Sequence, residues 1–314
     1  MSNTYLVTGG MGCIGAWTLY HLVQQGKKAV NFDLSEDRQR IDLLMSRDEQ
    51  AAITFIKGDL TDPAHVRAAF DTHGITHVIH LAALQIPFCR ANPILGAQVN
   101  VVGTVNIFEA ARHTGLKHIA FASSIAIYGG LNDYPSSLLP HDALPMPRTL
   151  YGVYKVANEG TARVYWLEQG MSSTTLRPHT VYGLGRDQGL TSEPTKAMQA
   201  AAKGENYTIN YGGKVQMQYA SDVAKQFIVA SERPLGGALG YNLGTTPVPM
   251  AEIAQLIMRI KPNVNITYVD TPLPISEGTD GTELHRAFAP DVFETPLEEG
   301  IAATIHAFER LANT

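Results

Sequence analysis

The chain has 314 residues, 45% of them hydrophobic and 17% charged, enough for one large α/β unit or two modest lobes, which excludes a disordered or fibrous protein. Lys plus Arg number 24 against 29 Asp plus Glu, a formal net charge of -5, so there is no strong basic field to hold a nucleic acid. No run of about 18 apolar residues occurs and no charged leader precedes the first apolar run, so a soluble, cytoplasmic protein with no membrane partner is expected.

In chain order, short apolar runs alternate with helical patterns, the signature of βαβ units in a parallel sheet. Strands are predicted at Tyr5 to Thr8, Ala29 to Asp33, Ile53 to Gly58, His77 to Ala82, His118 to Ser123 and Thr174 to Pro178. Ile14 to Gln25 carries Ile14, Trp17 and Leu22 at helical spacing, with Gly26 as its C-cap. Thr61-Asp62-Pro63 reads as an N-cap and a first-turn proline opening a helix at Ala64 to Phe70. Longer helices are predicted at Pro93 to His113 and Tyr151 to Gln169. The result is a doubly wound α/β sheet. Beyond about residue 178 Gly and Pro become frequent, as in Gly183 to Pro194 and Gly236 to Pro249, with helices predicted at Glu193 to Lys203 and Met250 to Ile260. The expected organisation is a dinucleotide-binding domain at 1–178 and a smaller, loop-rich substrate lobe at 179–314, some of whose segments return to the first domain. Cys13 and Cys89 form neither a disulfide framework nor zinc spacing, which fits a reducing compartment.

The first strand runs into Thr8-Gly9-Gly10-Met11-Gly12-Cys13-Ile14-Gly15 and then directly into a helix. Glycines there permit a tight turn and let the backbone approach a pyrophosphate, and the helix N-terminus supplies unpaired N–H groups. Asp33 stands 18 positions beyond Gly15 at the end of the second strand. A carboxylate at that place accepts hydrogen bonds from both adenosine ribose hydroxyls and repels a 2′-phosphate, so NAD is expected over NADP. Arg38 and Arg40 lie downstream and are able to soften that preference. Asp59, after the third strand, is placed to reach an adenine amino group, and equally fits a loop or cap residue.

Tyr151 and Lys155 are four residues apart and share a helix face, and Ser123-Ser124 follows the fifth strand. A phenol titrates near pH ~10, but a nearby ammonium and a cationic nicotinamide together are able to make it a base near neutrality. Tyr151 then takes a hydroxyl proton, Ser124 holds the same oxygen, and hydride leaves that carbon for the nicotinamide. His73, His77 and His80 have a ligand-like spacing, but an odd offset sends His77 and His80 to opposite strand faces, so no metal is expected.

These residues resemble the extended short-chain dehydrogenase/reductase superfamily, the NAD-dependent epimerase/dehydratase family, over nearly the whole chain. The matching segments are Thr8-Gly9-x-x-Gly12-x-x-Gly15, Gly58-Asp59-Leu60, His80-Leu81-Ala82-Ala83, Asn100 in Val99-Asn100-x-x-Gly103-Thr104, Ser123-Ser124 before Tyr128-Gly129, Tyr151-x-x-x-Lys155, and Leu176-Arg177-Pro178 before Val181-Tyr182-Gly183. The resemblance implies a Rossmann-type sheet with NAD held along Gly9, Gly12, Cys13, Ile14, Gly15, Asp33, Asp59, Leu60, Leu81, Ala82, Ala83, Asn100 and Pro178. It implies Tyr151 as acid/base, Lys155 also on the nicotinamide ribose, and Ser124 on the reacting carbinol. It further implies a homodimer in which the helices at 93–113 and 151–169 form a four-helix bundle.

Departures from the family pattern narrow the chemistry. Dehydratases of this kind carry an Asp-Glu pair after the serine, where this chain has Ile125 and Ala126. The arginine that commonly grips a nucleotide sugar's diphosphate is replaced by Val215, and an asparagine ahead of Val181 by Thr180. A small free sugar, sugar acid, polyol or hydroxy acid is therefore expected, touched by Gln85, Phe88, Ser124, His179, Thr180 and Arg186. His179 reads as cleft wall more than acid/base. Arg186, in a glycine-rich bend before Thr191, Ser192 and Thr195, suits a carboxylate and equally a solvent-facing loop. The leading expectation is an NAD-dependent oxidoreductase acting on a secondary alcohol. The alternative is an epimerase that retains NAD and returns hydride to the other face of a transient ketone, and a third reading is a regulator that binds NAD without turnover.

Overall fold

The computed structural model describes residues 3–312; the outermost residues of the two expected lobes, 1–2 and 313–314, lie outside them. In chain order the elements that position the site are β1 (Thr4–Thr8), α1 (Cys13–Gln24), β2 (Lys28–Asp33), β3 (Ile53–Lys57), α2 (Pro63–His73), β4 (His77–His80), α3 (Pro93–His113, with a π-turn at Gln98–Val102) and β5 (His118–Ala122). There follow α4 (Leu150–Gln169), β6 (Ser172–Arg177), β7 (Thr180–Tyr182), α5 (Glu193–Ala202), β8 (Lys214–Tyr219), α6 (Ala220–Glu232), β9 (Ala238–Asn242), α7 (Met250–Ile260) and α8 (Leu297–Ala312).

Seven strands form one parallel sheet in the order β9-β6-β5-β4-β1-β2-β3. Every residue of β1 is buried, which is why it reads as a continuous apolar run. Alternate side chains feed two helical layers. Tyr5 and Val7 pack with Leu19 and Leu22 of α1 and Phe227 of α6, whereas Leu6 packs with Phe70 of α2, Phe108 of α3 and Phe121. Asp62 caps α2 by accepting from Ala64 N at 2.8 Å, Pro63 opens the helix, and Gly74 ends it in the left-handed conformation. By length and composition α3 is apolar enough to cross a membrane, but here one face of it packs into the domain, with Ile107, Phe108 and Ala111 against the sheet.

Four strands end earlier than their sequence patterns predict: β3 at Lys57, β4 at His80, β5 at Ala122 and β6 at Arg177. The apolar residues beyond them turn out of the ladder to line the crevice at the sheet's carboxyl edge. Five of these elements went unread, β7, β8, α6, β9 and α8, and two of them, β9 and α6, join the first domain. β9 contains Gly240 and lies in a glycine-rich stretch that reads as loop, while α6 buries ten residues around its circumference and so lacks an amphipathic stripe. Both return from the C-terminal half, β9 pairing with β6 and α6 packing on α1. The remaining C-terminal elements pair β7 with β8 and surround a second core of Met198, Val215, Met250, Ile253 and Ile301.

His80 ties this framework together. Its Nδ1 lies 2.6 Å from Thr8 Oγ1 and its Nε2 3.0 Å from Thr104 Oγ1, which donates to Asn100 O at 2.7 Å. That pattern fixes the neutral Nε2–H form. Burial pushes His80 down to about 3 and the buried His179 down to about 4. The unfolded chain takes these protons near pH ~6.5. Stability is therefore expected to fall as pH drops from that value towards 4, by up to about 1.4 kcal/mol per pH unit for each histidine. Urea unfolding at pH 7 and pH 5 checks this; an unchanged midpoint contradicts it.

Candidate active site

The carboxyl ends of the central strands open into one cleft of about 2050 Å³, its mouth included. Gly9, Gly12, Cys13, Ile14 and Gly15 line one end. α1 starts on Gly12 with no side-chain cap and no acidic residue in its first turn, so its amide dipole stays open to an anion. A Cβ on Gly15 would collide with the Gly9 carbonyl, so only glycine closes this turn. Asp33 ends β2 at the same place, accepting from Met11 N at 3.0 Å and Ser35 N at 2.9 Å. Burial pushes its carboxyl up, against those amides and the Arg40 charge.

Of the two downstream arginines, Arg40 is committed by hydrogen bonds. Arg38 stacks 3.7 Å over the Phe55 ring, and Arg40 pairs with Asp187 at 2.7 Å and donates to Met11 O at 2.9 Å. Asp59 lines the cleft and also turns its loop, accepting from Thr61 N and Oγ1 at 2.8 Å each. Leu60, Leu81, Ala82, Ala83 and Pro178 complete the wall. An uncapped helix start, a buried carboxylate and apolar walls fit a dinucleotide.

Thr149 caps α4 by accepting from Gly152 N at 3.1 Å. A Cβ on Gly152 would collide with the Ala126 carbonyl, so the helix start lies directly against the turn that follows β5. This close approach sets Tyr151 near Ser124, and both line the cleft. Lys155, one turn on and 3% exposed, donates to Ala122 O at 2.7 Å, with Nζ 5.5 Å from the Tyr151 ring centre. Burial pushes the ammonium down to about 8, which leaves it mostly charged at pH 7.

The chain by itself does not make the phenol a base near neutrality. Burial pushes Tyr151 above its ordinary value, opposed by the Ser124 hydrogen bond and the Arg186 charge. Lys155 donates to Ala122 O, and its ammonium needs the second charge, that of a cationic nicotinamide, beside the ring to outweigh this burial.

Two expected contacts fall outside the cleft. Asn100 is 1% exposed within the π-turn of α3, and its amide clamps Leu84, accepting from Leu84 N at 2.7 Å and donating to Leu84 O at 2.9 Å. It holds the loop behind Ala83 and does not face a cofactor. Thr180 is fully buried in β7, with its hydroxyl 3.1 Å from His179 Nδ1. His179 Nε2 meets Ser276 O at 3.1 Å, so both ring nitrogens are engaged and the neutral ring is wall. Gln85, Phe88, Ser124 and Arg186 do line the substrate end. So do Ile275 and Asp187; sequence reasoning missed Ile275 because it arrives from a distant loop without a motif, and passed over Asp187 although it is the neighbour of Arg186.

The sequence profile described as the NAD dependent epimerase/dehydratase family matches residues 5–244. The chain belongs to that family. It is an NAD-dependent enzyme of the extended short-chain dehydrogenase/reductase type, and its cofactor is NAD. UDP-glucuronate 4-epimerase 4 of Arabidopsis thaliana is 30% identical over 280 residues, covering 82% of this chain but 63% of that protein. Mitochondrial L-threonine 3-dehydrogenase of Sus scrofa is 27% identical, covering 84% of this chain and 70% of that one. Among solved structures, UDP-glucose 4-epimerase of Thermus thermophilus in complex with NAD superposes with a TM-score of 0.80 at 26% identity, covering 97% of this chain and 98% of the other.

Proposed function

We propose that the enzyme catalyses net dehydrogenation of a secondary alcohol on a small, carbohydrate-like molecule without a nucleotide handle. The observation that carries this is Val215. At the position where a diphosphate-gripping arginine is expected, it is 1% exposed inside the second core and does not face the cleft. An epimerase must retain its ketone while the ring turns over, and a nucleotide handle is the means of retention. Without that handle the ketone leaves and the reaction stops at oxidation. Ile125 and Ala126, apolar walls of the cleft, supply no acid or base for eliminating water.

NAD, held along the glycine loop and Asp33, supplies the hydride acceptor. Tyr151 takes the hydroxyl proton, Ser124 holds the same oxygen, and Lys155 stabilises the phenolate as it forms. Relatives that are UDP-glucuronate 4-epimerases support the second reading, NAD-retaining epimerisation. A regulator that merely binds NAD has no use for Ser124, Tyr151 and Lys155 together. Incubation with free aldoses, uronates, aldonates, hydroxy amino acids and nucleotide sugars, followed at 340 nm and by product NMR, decides. Net NADH with a free small substrate is expected; a response confined to nucleotide sugars, with no net NADH, refutes the proposal.

We also propose a homodimer through α3 and α4. Leu95 and Val102 on α3, and Val153, Val164 and Leu167 on α4, are 42–69% exposed on neighbouring helices, an apolar face suited to a second copy. Sedimentation is expected to give twice the 34.1 kDa protomer mass, and Leu167→Glu to halve it. A monomeric parent protein contradicts the proposal.

A further inference from the structure

Arg186 stands between two anchors. On one side, Leu184 O accepts from Trp17 Nε1 at 3.1 Å, and on the other Asp187 is held by Arg40. Positive-φ glycines at 183 and 185, on either side of Leu184, shape the backbone leading into Arg186, so the guanidinium is positioned before any ligand arrives. Its Nη2 donates to Thr191 Oγ1 at 3.0 Å, while its Nε is buried with no hydrogen-bond partner. No carboxylate among the described residues forms an ion pair with it. Its charge reaches the Tyr151 phenol, and a Cβ on Gly189 would meet both Gln85 Oε1 and Arg186 Nη2, so the Gln85 amide lies beside the guanidinium.

A shielded guanidinium with an unfilled donor costs free energy until an acceptor completes it, and the best-matched acceptor is a planar carboxylate. The other cleft cations are committed, Arg40 to Asp187 and Lys155 to Ala122 O. One cation suits one carboxylate and falls short of a diphosphate. We infer that Arg186, assisted by Gln85 and Thr191, grips the carboxylate of the substrate, which is therefore a hydroxy acid whose carbinol lies at Tyr151 and Ser124. This rests on the dehydrogenase reading and names its substrate class. In the oxidation the carbinol carbon loses a hydride to NAD and its oxygen a proton to Tyr151; the carboxylate is unchanged.

The test pairs acids with neutral counterparts: aldonates against alditols, uronates against aldoses, and 3-hydroxy acids against their amides. Each is measured for NADH formation and for the shift it gives in the melting temperature of the NAD complex, with Arg186→Gln and Arg186→Lys alongside. An acid is expected to turn over and to raise the melting temperature where its neutral partner does neither. Arg186→Gln is expected to raise the acid's KM by about 100-fold with a smaller effect on kcat and to abolish the melting shift, and Arg186→Lys to restore part of both. Neutral counterparts that turn over as well as the acids overturn the inference and leave the dehydrogenase reading standing. Failure of every acid to turn over or raise the melting temperature also overturns it. Isomerised product without net NADH defeats the dehydrogenase reading itself.

Discussion

Replacing Tyr151 by phenylalanine is expected to lower kcat by about 10³-fold while leaving NAD affinity nearly unchanged. The removed oxygen is the proposed proton acceptor in the cleft, beside Ser124, and a positioned acid/base contributes about 10²–10⁴ in rate. The ring itself stays, so the cleft wall and the start of α4 are preserved. Steady-state kinetics and a cofactor titration measured on the same preparation check both halves. Undiminished turnover would require another proton acceptor, and His179, engaged at both ring nitrogens, is not one.

Lys155→Met is the second large effect, with an expected loss of about 10²–10³ in kcat. Methionine is close in volume and fills the buried space, so the fold is expected to hold. Only the charge and the 2.7 Å bond to Ala122 O are lost. Unlike the tyrosine variant, this one is also expected to bind NAD more weakly, because the family places this lysine on the nicotinamide ribose. Its activity is expected to recover in part at alkaline pH, where the phenol ionises without help. A pH profile and cofactor affinity both matching the parent enzyme would remove Lys155 from the site.

What the sequence made legible was local. The glycine loop, Asp33 and the Tyr151–Lys155 spacing are set by a strand end, a helix start and one helical turn, and each stands in the cleft. What stayed hidden depends on distant packing. β9 and α6 join the sheet and its helix layer from the second half of the chain, and Ile275 closes the cleft from a segment without a motif. Asn100 shows the limit of motif reading, which finds the residue but not the direction of its amide, spent here on Leu84. Tyr151 shows the same for electrostatics. The i,i+4 ammonium is visible in sequence, whereas the burial that opposes it is not.

Turnover requires the Tyr151 phenol to become a usable base when cationic cofactor charge joins Lys155. An ultraviolet difference titration of the parent enzyme against Tyr151→Phe isolates this one phenol among the 13 tyrosines. Without NAD its midpoint is expected above the ordinary value, and with NAD bound it is expected to fall by two units or more, about 2.7 kcal/mol of differential stabilisation. A midpoint that does not move when NAD binds, in an enzyme that still turns over, would contradict the account.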